Sequence, residues 1–181
     1  MDEYIEAGKI AAQALKYGGK LIKVGESLLD VTEKVEQKVL DLGAEFAFPP
    51  QISLNEIAAH YCADPNDETK FKEGDIAKLD VGVMIDGYIG DNALTVDLGD
   101  NEKLVRASRE ALNKAIEIIK PGVTLSEIGK TIHDTITGYG FAPVRNLSGH
   151  GLDKYVFHDK PSIPNFDNGD RYVSCCSDAF L

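Results

Sequence analysis

The sequence predicts an α+β fold built from two similar halves, with a β-hairpin following the helices of the first half. Three observations support this prediction. A 23-residue segment recurs 97 positions later in the chain, its apolar residues have helical spacing, and an Asp-Gly pair separates two strand-like runs. At 181 residues, the chain is long enough for one compact domain. We therefore predict one domain over residues 1–181, with a first repeat at about 1–98, a partial second repeat at about 99–170 and a divergent tail at 171–181.

The recurring segment predicts one helix in each half. Its copies, Leu21–Gly43 and Ile118–Gly140, both place apolar residues at steps of three or four. Ser27 and Thr124 stand where an N-cap hydroxyl is expected, with an acidic residue three positions further on, as in a capping box. The final glycine of each copy suits the C-terminal end of a helix.

Another helix is expected to precede each copy. The apolar spacing indicates helices at about residues 3–22 and 102–119. Because glycine and proline end helices, the first is predicted to end in Gly18-Gly19 and the second at Pro121.

The β-hairpin is centred on Asp86-Gly87, a dipeptide that favours a two-residue turn. Adding the offset of 97 predicts a second hairpin at about residues 173–194, whereas the sequence stops at Leu181 with "SCCSDAFL". We therefore expect the sheet of the second half to be incomplete. A naturally short protein, a frameshift and a sequence fragment all remain open.

The composition favours a cytoplasmic protein with no nucleic-acid or membrane partner. A formal net charge of −11 opposes binding to a phosphate backbone. No apolar run reaches the roughly 18 residues that a membrane helix needs, and the N-terminus lacks the features of a signal peptide. Three cysteines, two of them adjacent, suit a reducing compartment better than a disulfide framework.

Two aspartates in the hairpin form a candidate site. If Asp86 and Gly87 are the turn residues, Asp91 faces Gly82, and Asp80 points to the same face because side chains alternate along a strand. The two carboxylates are then diagonal neighbours about 7 Å apart at their Cβ atoms. A pair of divalent cations would offset the cost of burying both charges. The alternative is a solvated face on which both aspartates are surface groups.

Three of the four histidines have notable positions. His150 stands in "LSGHGLDKYVFH", and His158 follows eight residues later, so one continuous strand would place both on the same face. The offset of 97 carries His60 to position 157, next to His158, which predicts that the two face each other across a pseudo-twofold axis. For each of these histidines, a structural role is the alternative to a functional one.

Three segments together resemble the methionine aminopeptidases, specifically the type II branch found in archaea. These segments are "AFPPQISLNEIAAHY", "GDIAKLDVGVMIDGYIGDNALTV" and "NLSGHGLDKYVFH", in the order and spacing of that family. The resemblance extends from the N-terminus to about Asp170 and includes the internal duplication. It implies the pita-bread fold, here with an incomplete second half.

The resemblance implies a metalloexopeptidase that removes the initiator methionine from nascent polypeptides by means of a metal-activated water. It assigns Asp80, Asp91 and His150 as ligands of two divalent ions, of cobalt, manganese, iron, zinc or nickel. His60 and His158 would act on the scissile peptide as catalytic and substrate-binding residues. The resemblance also implies that Phe48 and Pro49 bind the methionine side chain and that the protein is a monomer.

Two departures from the family pattern qualify this interpretation. Gln51 stands where the archaeal pattern usually has asparagine, and no glutamate occurs after Glu127, although the family uses two later glutamates as ligands. Three ligands of five remain, so we expect these 181 residues to bind metal weakly and to have impaired activity. The alternatives are an inactive pita-bread binding module or a fragment of a broken gene. A proline-directed peptidase of the same fold is less favoured, because "NEIAAHY" and "NLSGH" resemble the methionine-specific type.

Overall fold

The computed structural model of the chain describes residues 2–172, which contain both helices and antiparallel strands. In chain order the elements are α1 (Asp2–Leu21), α2 (Leu28–Asp41), β1 (Glu45–Phe46), β2 (Gln51–Leu54), β3 (Ile76–Ile85), β4 (Tyr88–Asp97), α3 (Glu102–Ile118), α4 (Leu125–Gly138), β5 (Gly149–Asp153) and β6 (Val156–Ile163). The chain divides into two compact units. The first unit contains the residues up to Asn101 together with Lys154–Phe157, and the second contains Glu102–Asp153 and the residues from His158 onward. Within residues 2–172, the structure has no helix long and apolar enough to span a bilayer.

The predicted repeat is visible in the bounds of the helices. α2 and α4 begin and end at positions that differ by 97 residues. The Ser27 side chain accepts a hydrogen bond from the backbone N–H of Asp30, and Thr124 forms a complete capping box with Glu127. Gly43 and Gly140 follow the two helices with positive φ angles of 79° and 85°. The predicted helix starts and stops are therefore confirmed.

The predicted helix ranges of about 3–22 and 102–119 are confirmed by α1 and α3. The further prediction that the first helix ends in Gly18-Gly19 is wrong, because α1 continues to Leu21. A Cβ atom on Gly18 would lie 2.5 Å from Val35 of α2 and 2.6 Å from Leu79 of β3. The glycine thus allows α1 to approach both elements closely, and this close packing outweighs its low helix propensity.

The sheet of the first unit is organised around β3. β4 pairs with β3 over its whole length in antiparallel register, and Asp86 and Gly87 form the turn with φ angles of 51° and 89°. The opposed residues include Gly82 with Asp91, so the predicted register is confirmed. Buried aliphatic residues of β3 pack against α1 and α2 to form the core, among them Leu79, Val81 and Val83.

Two short strands, β1 and β2, were not predicted. Both pair antiparallel with β3, with Phe46 opposite Val83 and Gln51 opposite Asp80. Four residues, 47–50, therefore face only two residues of β3, which makes a bulge. The bulge includes Pro49-Pro50, and prolines without a backbone N–H cannot continue the hydrogen-bond ladder.

After α3 and α4, the chain forms the β5–β6 hairpin, of which residues 154–157 belong to the first unit, and then a segment that returns to the start of α4. The Leu125 N–H donates to the carbonyl of Tyr172, whereas the Leu28 N–H at the start of α2 donates to the carbonyl of Thr69. The equivalent contacts are 103 residues apart, so the offset of 97 no longer relates the two halves at this point. The second hairpin predicted at about residues 173–194 lies outside the described residues, and the proposed domain and repeat boundaries stay predictions.

Replacing Gly18 by alanine tests the close packing of α1. The new methyl group would overlap the fully buried side chains of Val35 and Leu79. We expect Gly18→Ala to lower the free energy of unfolding by about 1 kcal/mol, as overpacking outweighs the gain in helix propensity. Gly8→Ala is the matched control, because a Cβ at Gly8 of the same helix meets nothing within 4 Å. That control should stabilise the protein by about 1 kcal/mol in urea unfolding, and equal effects of the two substitutions would contradict this account.

Candidate metal centre

The hairpin brings Asp80 and Asp91 together on one face of the first unit. Asp91 lies opposite Gly82, two positions from Asp80, and the two carboxyl groups are joined by a hydrogen bond. Asp80 is half-buried, and its Oδ1 atom is shielded from solvent. The prediction that these carboxylates are close neighbours is therefore confirmed, and the alternative of two freely solvated surface groups is excluded.

Burial shapes the electrostatics of the pair. Removal from water raises the pKa of the Asp91 carboxyl, and the hydrogen bond from Asp80 works in the opposite direction because it stabilises the charged form. Two adjacent carboxylates repel each other, so without a cation the pair retains a proton, whereas a cation between them allows both to ionise. Closely placed carboxylate oxygens are ligands that divalent cations favour, so this donor pair fits the metal that the sequence implies.

An aromatic wall lies beside the aspartates. A Cβ on Gly82 would overlap the ring of Phe48, so this ring occupies the space where residue 82 would otherwise have a side chain. Because Gly82 is opposite Asp91 and two residues from Asp80, the Phe48 ring lies on the carboxylate face. Phe48 belongs to the bulge at residues 47–50, and the bulge positions its ring over Gly82. Pro49 is exposed, whereas its neighbour Pro50 is fully buried.

Phe157 completes the aromatic wall, and the sequence interpretation missed it. Its ring centroid lies 5.9 Å from that of Phe48, with the ring planes inclined at 53°. Both residues belong to the first unit. The position of Phe157 directly before His158 was a signal that could have identified it.

His60 lies in an exposed loop after β2 and has a positive φ of 68°. Its backbone N–H donates to Oε1 of Gln51 at 3.1 Å. Gln51 is also the register partner of Asp80 across β2 and β3. The residue that departs from the family pattern therefore ties the His60 loop to the strand that carries an aspartate.

His150 and His158 lie in the second unit, on β5 and β6. They do not share one continuous strand as expected, because the chain turns between them. Their ring centroids are nevertheless 4.2 Å apart, in an edge-to-face arrangement of 70°. Nδ1 of His150 lies 3.2 Å from the carbonyl oxygen of Gly151. An N–H on Nδ1 would donate this hydrogen bond and leave Nε2 with the lone pair that a metal requires.

The structure thus brings four of the predicted site residues together as two separate pairs. Asp80 meets Asp91 in the first unit, and His150 meets His158 in the second. Among residues 2–172, no group of three or more His, Cys, Asp or Glu side chains is arranged to hold a metal ion. The described geometry therefore supports the aspartate pair as the start of a metal site. The ligand role of His150 and the substrate contacts of His60 and His158 stay predictions.

Comparison with known proteins identifies similar chains. A sequence model of metallopeptidase family M24 matches residues 2–174. The chain is 54% identical over 165 residues to a methionine aminopeptidase of Archaeoglobus fulgidus, covering 91% of this chain and 57% of that protein. It is 50% identical over 178 residues to a methionine aminopeptidase of Thermococcus onnurineus, covering 96% of this chain and 60% of the relative. The chain therefore spans a little under two thirds of these relatives.

Solved structures show the same fold. A crystal structure of methionine aminopeptidase from Thermotoga maritima superposes with a TM-score of 0.91 at 34% identity, covering 99% of this chain and 77% of that one. A prolidase from Pyrococcus furiosus gives a TM-score of 0.81 at 26% identity, covering 96% and 52%. The predicted α+β pita-bread fold is confirmed by these likenesses.

Asp91→Asn distinguishes two effects of the carboxylate pair: the stability that it costs the metal-free protein, and the stability that a bound cation adds. Since the folded pKa of Asp91 lies above its ordinary value of 3.8, the folded protein retains a proton that the unfolded chain releases. Stability therefore falls as pH rises through the interval between the two pKa values, and is level above it. Asparagine removes this loss, so the metal-free variant should be about 1 kcal/mol more stable than the unmodified protein at pH 7.

The same variant should lose the stabilisation that manganese gives. Thermal unfolding at pH 7, with and without Mn²⁺, measures both effects. At a pH well below the ordinary aspartate pKa of 3.8, where residue 91 is protonated in both states, the two metal-free proteins should have equal stability. If metal-free Asp91→Asn were less stable than the unmodified protein at pH 7, the proposal that the buried Asp91 carboxylate destabilises the protein would be contradicted.

Gln51→Ala tests the connection to the His60 loop. Loss of the acceptor oxygen should speed hydrogen exchange at the His60 amide by about fivefold, corresponding to roughly 1 kcal/mol for one hydrogen bond. The neighbouring Tyr61 amide, which donates to Oγ of Ser53, is an internal control and should be unchanged. Gln51→Glu keeps an acceptor and should exchange slowly. Equal rates in all three proteins would show that Gln51 does not hold the loop.

Proposed function

Because the chain belongs to metallopeptidase family M24, we propose that it carries the metal-dependent removal of an N-terminal methionine from newly made polypeptides. The observation that carries this proposal is the aspartate pair beside the Phe48 ring. Relatives named methionine aminopeptidase match over nine tenths of the chain or more. The combination of paired carboxylates with an aromatic wall suits a peptide whose first residue has a long apolar side chain.

Asp80 and Asp91 would hold the metal, with His150 as a further ligand. Two divalent ions, when bound, supply charge that polarises the peptide carbonyl and activates water for hydrolysis. The protein's own part is to keep both carboxylates ionised and correctly spaced when the cations are present. The hairpin register fixes this spacing, because Asp80 and Asp91 sit on adjacent, fully paired strands.

The methionine side chain would lie against Phe48 and Phe157, with Pro49 at the edge. An unbranched thioether is flexible and polarisable, and it makes favourable contacts with aromatic rings. The wall lies on the carboxylate face, so a side chain that contacts Phe48 leaves its own backbone near the aspartates. This arrangement would bring the first peptide bond to the metal ligands.

His60 and His158 would donate hydrogen bonds to the scissile peptide and stabilise charge that develops on its oxygen. The bond between the His60 N–H and Gln51 limits the movement of the His60 loop. His158 would be oriented by its edge-to-face contact with His150. Each histidine would therefore be positioned before substrate binds, which lowers the entropy cost of reaching the transition state.

We further propose that these 181 residues alone have impaired activity. The family resemblance implies five ligands, and three of them occur here, with no glutamate after Glu127. The second candidate is a binding module of the same fold without catalysis. The two family glutamates that have no counterpart in these 181 residues support this candidate. A module would bind methionyl peptides without cleaving them.

The proposed partner is the N-terminal methionine of nascent polypeptides, in the cytoplasm, with the protein acting as a monomer. The acidic composition supports the proposal that no nucleic acid binds, because phosphate contacts require clustered lysine and arginine. A cytoplasmic location agrees with the place where new chains emerge and with a reduced state for three cysteines.

The proposal is tested by turnover of a methionyl tripeptide with added Co²⁺ or Mn²⁺. The comparison protein is the full-length methionine aminopeptidase of Archaeoglobus fulgidus. Loss of even an outer contact at a metal site costs about 10- to 100-fold, so two missing ligands should lower turnover at least about 100-fold. Asp91→Asn is the blank for contaminating activity. Cleavage within tenfold of the relative would overturn the proposed impairment, whereas binding of the tripeptide with cleavage no greater than the blank would favour the binding module.

A further inference from the structure

Two turns of the first unit meet edge to edge. One is the Asp86-Gly87 turn between β3 and β4, and the other is the tip of the β5–β6 hairpin, residues 154–157. The Tyr155 N–H donates to the carbonyl of Gly87 at 2.8 Å. The Tyr155 ring covers Gly87 so closely that a Cβ there would lie 2.5 Å from Cε2 of the ring. Gly87 is therefore required for two reasons: it adopts the φ of 89° that the turn needs, and its lack of a side chain leaves room for the Tyr155 ring.

Tyr155 has an uncommon backbone conformation. Its φ is 61°, in the left-handed region that bulky residues rarely adopt. Its side chain is 65% exposed, so core burial is not what holds it in this conformation. Backbone strain of this kind persists where surrounding contacts determine it, and it is concentrated at functional sites. The contacts that determine it here are the hydrogen bond to Gly87 and the ring contact above it.

A cation–π contact adds to this junction. Nζ of Lys154 lies 4.9 Å from the centroid of the Tyr88 ring, and the Tyr88 ring in turn meets Tyr4 of α1 edge-on at 5.1 Å. Tyr88 is the first residue of β4, next to Gly87. Tyr155 thus contacts Gly87 of the turn, and Lys154 contacts Tyr88, the residue that follows it.

The contacts of Tyr155 also affect Phe157, two residues further along the chain. From Tyr155, β6 leads to Phe157, whose ring meets Phe48 beside the aspartate pair. We propose that Tyr155 is a positioning residue: its ring, seated on Gly87, holds Phe157 against Phe48 and thereby keeps the two rings together as one aromatic wall.

This inference rests on the proposed function, because the aromatic wall is the surface assigned to the methionine side chain. Two rings held in contact present one continuous apolar surface, and an unbranched side chain covers it more fully than one branched at Cβ. Apolar sites discriminate between aliphatic side chains by about tenfold or more. Release of Phe157 would remove part of this surface and reduce the discrimination without touching a metal ligand.

Two variants break the junction from opposite sides. Tyr155→Ala removes the ring, and its exposed position makes loss of folding an unsuitable explanation for any effect. Gly87→Ala displaces the ring from below. Each has a matched control. Tyr155→Phe keeps the ring, and Gly74→Ala places a methyl group at a φ of 92° with nothing within 4 Å, so it shares the backbone strain but not the collision.

Two measurements on the intact 181-residue chain decide the proposal. The first is the nuclear Overhauser effect between the rings of Phe48 and Phe157 in phenylalanine-labelled protein. The second is the ratio of dissociation constants for methionine amide and valine amide, followed by NMR titration. We expect the ring-to-ring signal to disappear in Tyr155→Ala and Gly87→Ala, together with about a tenfold loss of discrimination. Both controls should keep the signal and the discrimination.

The outcomes separate this inference from the proposed function. A ring-to-ring signal that survives in Tyr155→Ala and Gly87→Ala would overturn the positioning role. Loss of the signal with unchanged discrimination would overturn the link between the aromatic wall and side-chain selection. If the unmodified protein binds neither amide, the proposed methionine site fails, and the positioning role of Tyr155 is then decided by the ring-to-ring signal alone.

Discussion

The burial of two carboxyl groups on one face of the β3–β4 hairpin is the constraint on which the rest of the site depends. Burial raises the pKa of Asp91, so the pair is costly to keep ionised without a cation. An antiparallel hairpin with a two-residue turn fixes which residues face each other, and a shift of the pairing by one residue would place the two side chains on opposite faces of the sheet. The turn at Asp86-Gly87 therefore determines the chemistry several residues away.

The neighbouring elements preserve this arrangement and add to it. β2 places Gln51 opposite Asp80, and the Gln51 side chain holds the backbone of His60. The bulge before β2 puts the Phe48 ring over Gly82, the register partner of Asp91, where no side chain occupies the space. The same turn that sets the register also receives the Tyr155 ring. One hairpin thus organises the metal ligands, the aromatic wall and a histidine loop.

Features with a local cause could be predicted from sequence, and those with a distant cause could not. Ser27 and Thr124 cap helices through bonds within three residues, and Asp86-Gly87 fixes its own register, so both predictions succeeded. Gly18 was misread because its role depends on Val35 and Leu79, which only tertiary packing brings near. β1 and β2 were missed because Pro49-Pro50 interrupts their alternation. Phe157 was missed for the same reason as Gly18, since its partner Phe48 is distant along the chain.

The central claim is that Asp80 and Asp91 together bind a divalent cation, and anomalous X-ray scattering from crystals grown with Mn²⁺ tests it most directly. The account predicts an anomalous peak between the two carboxyl groups, with oxygen atoms of both at about 2.0–2.3 Å from the ion. The carboxyl-to-carboxyl hydrogen bond should then be gone, because the cation replaces the shared proton. Crystals that contain Mn²⁺ yet show no peak there, with the hydrogen bond retained, would contradict the claim.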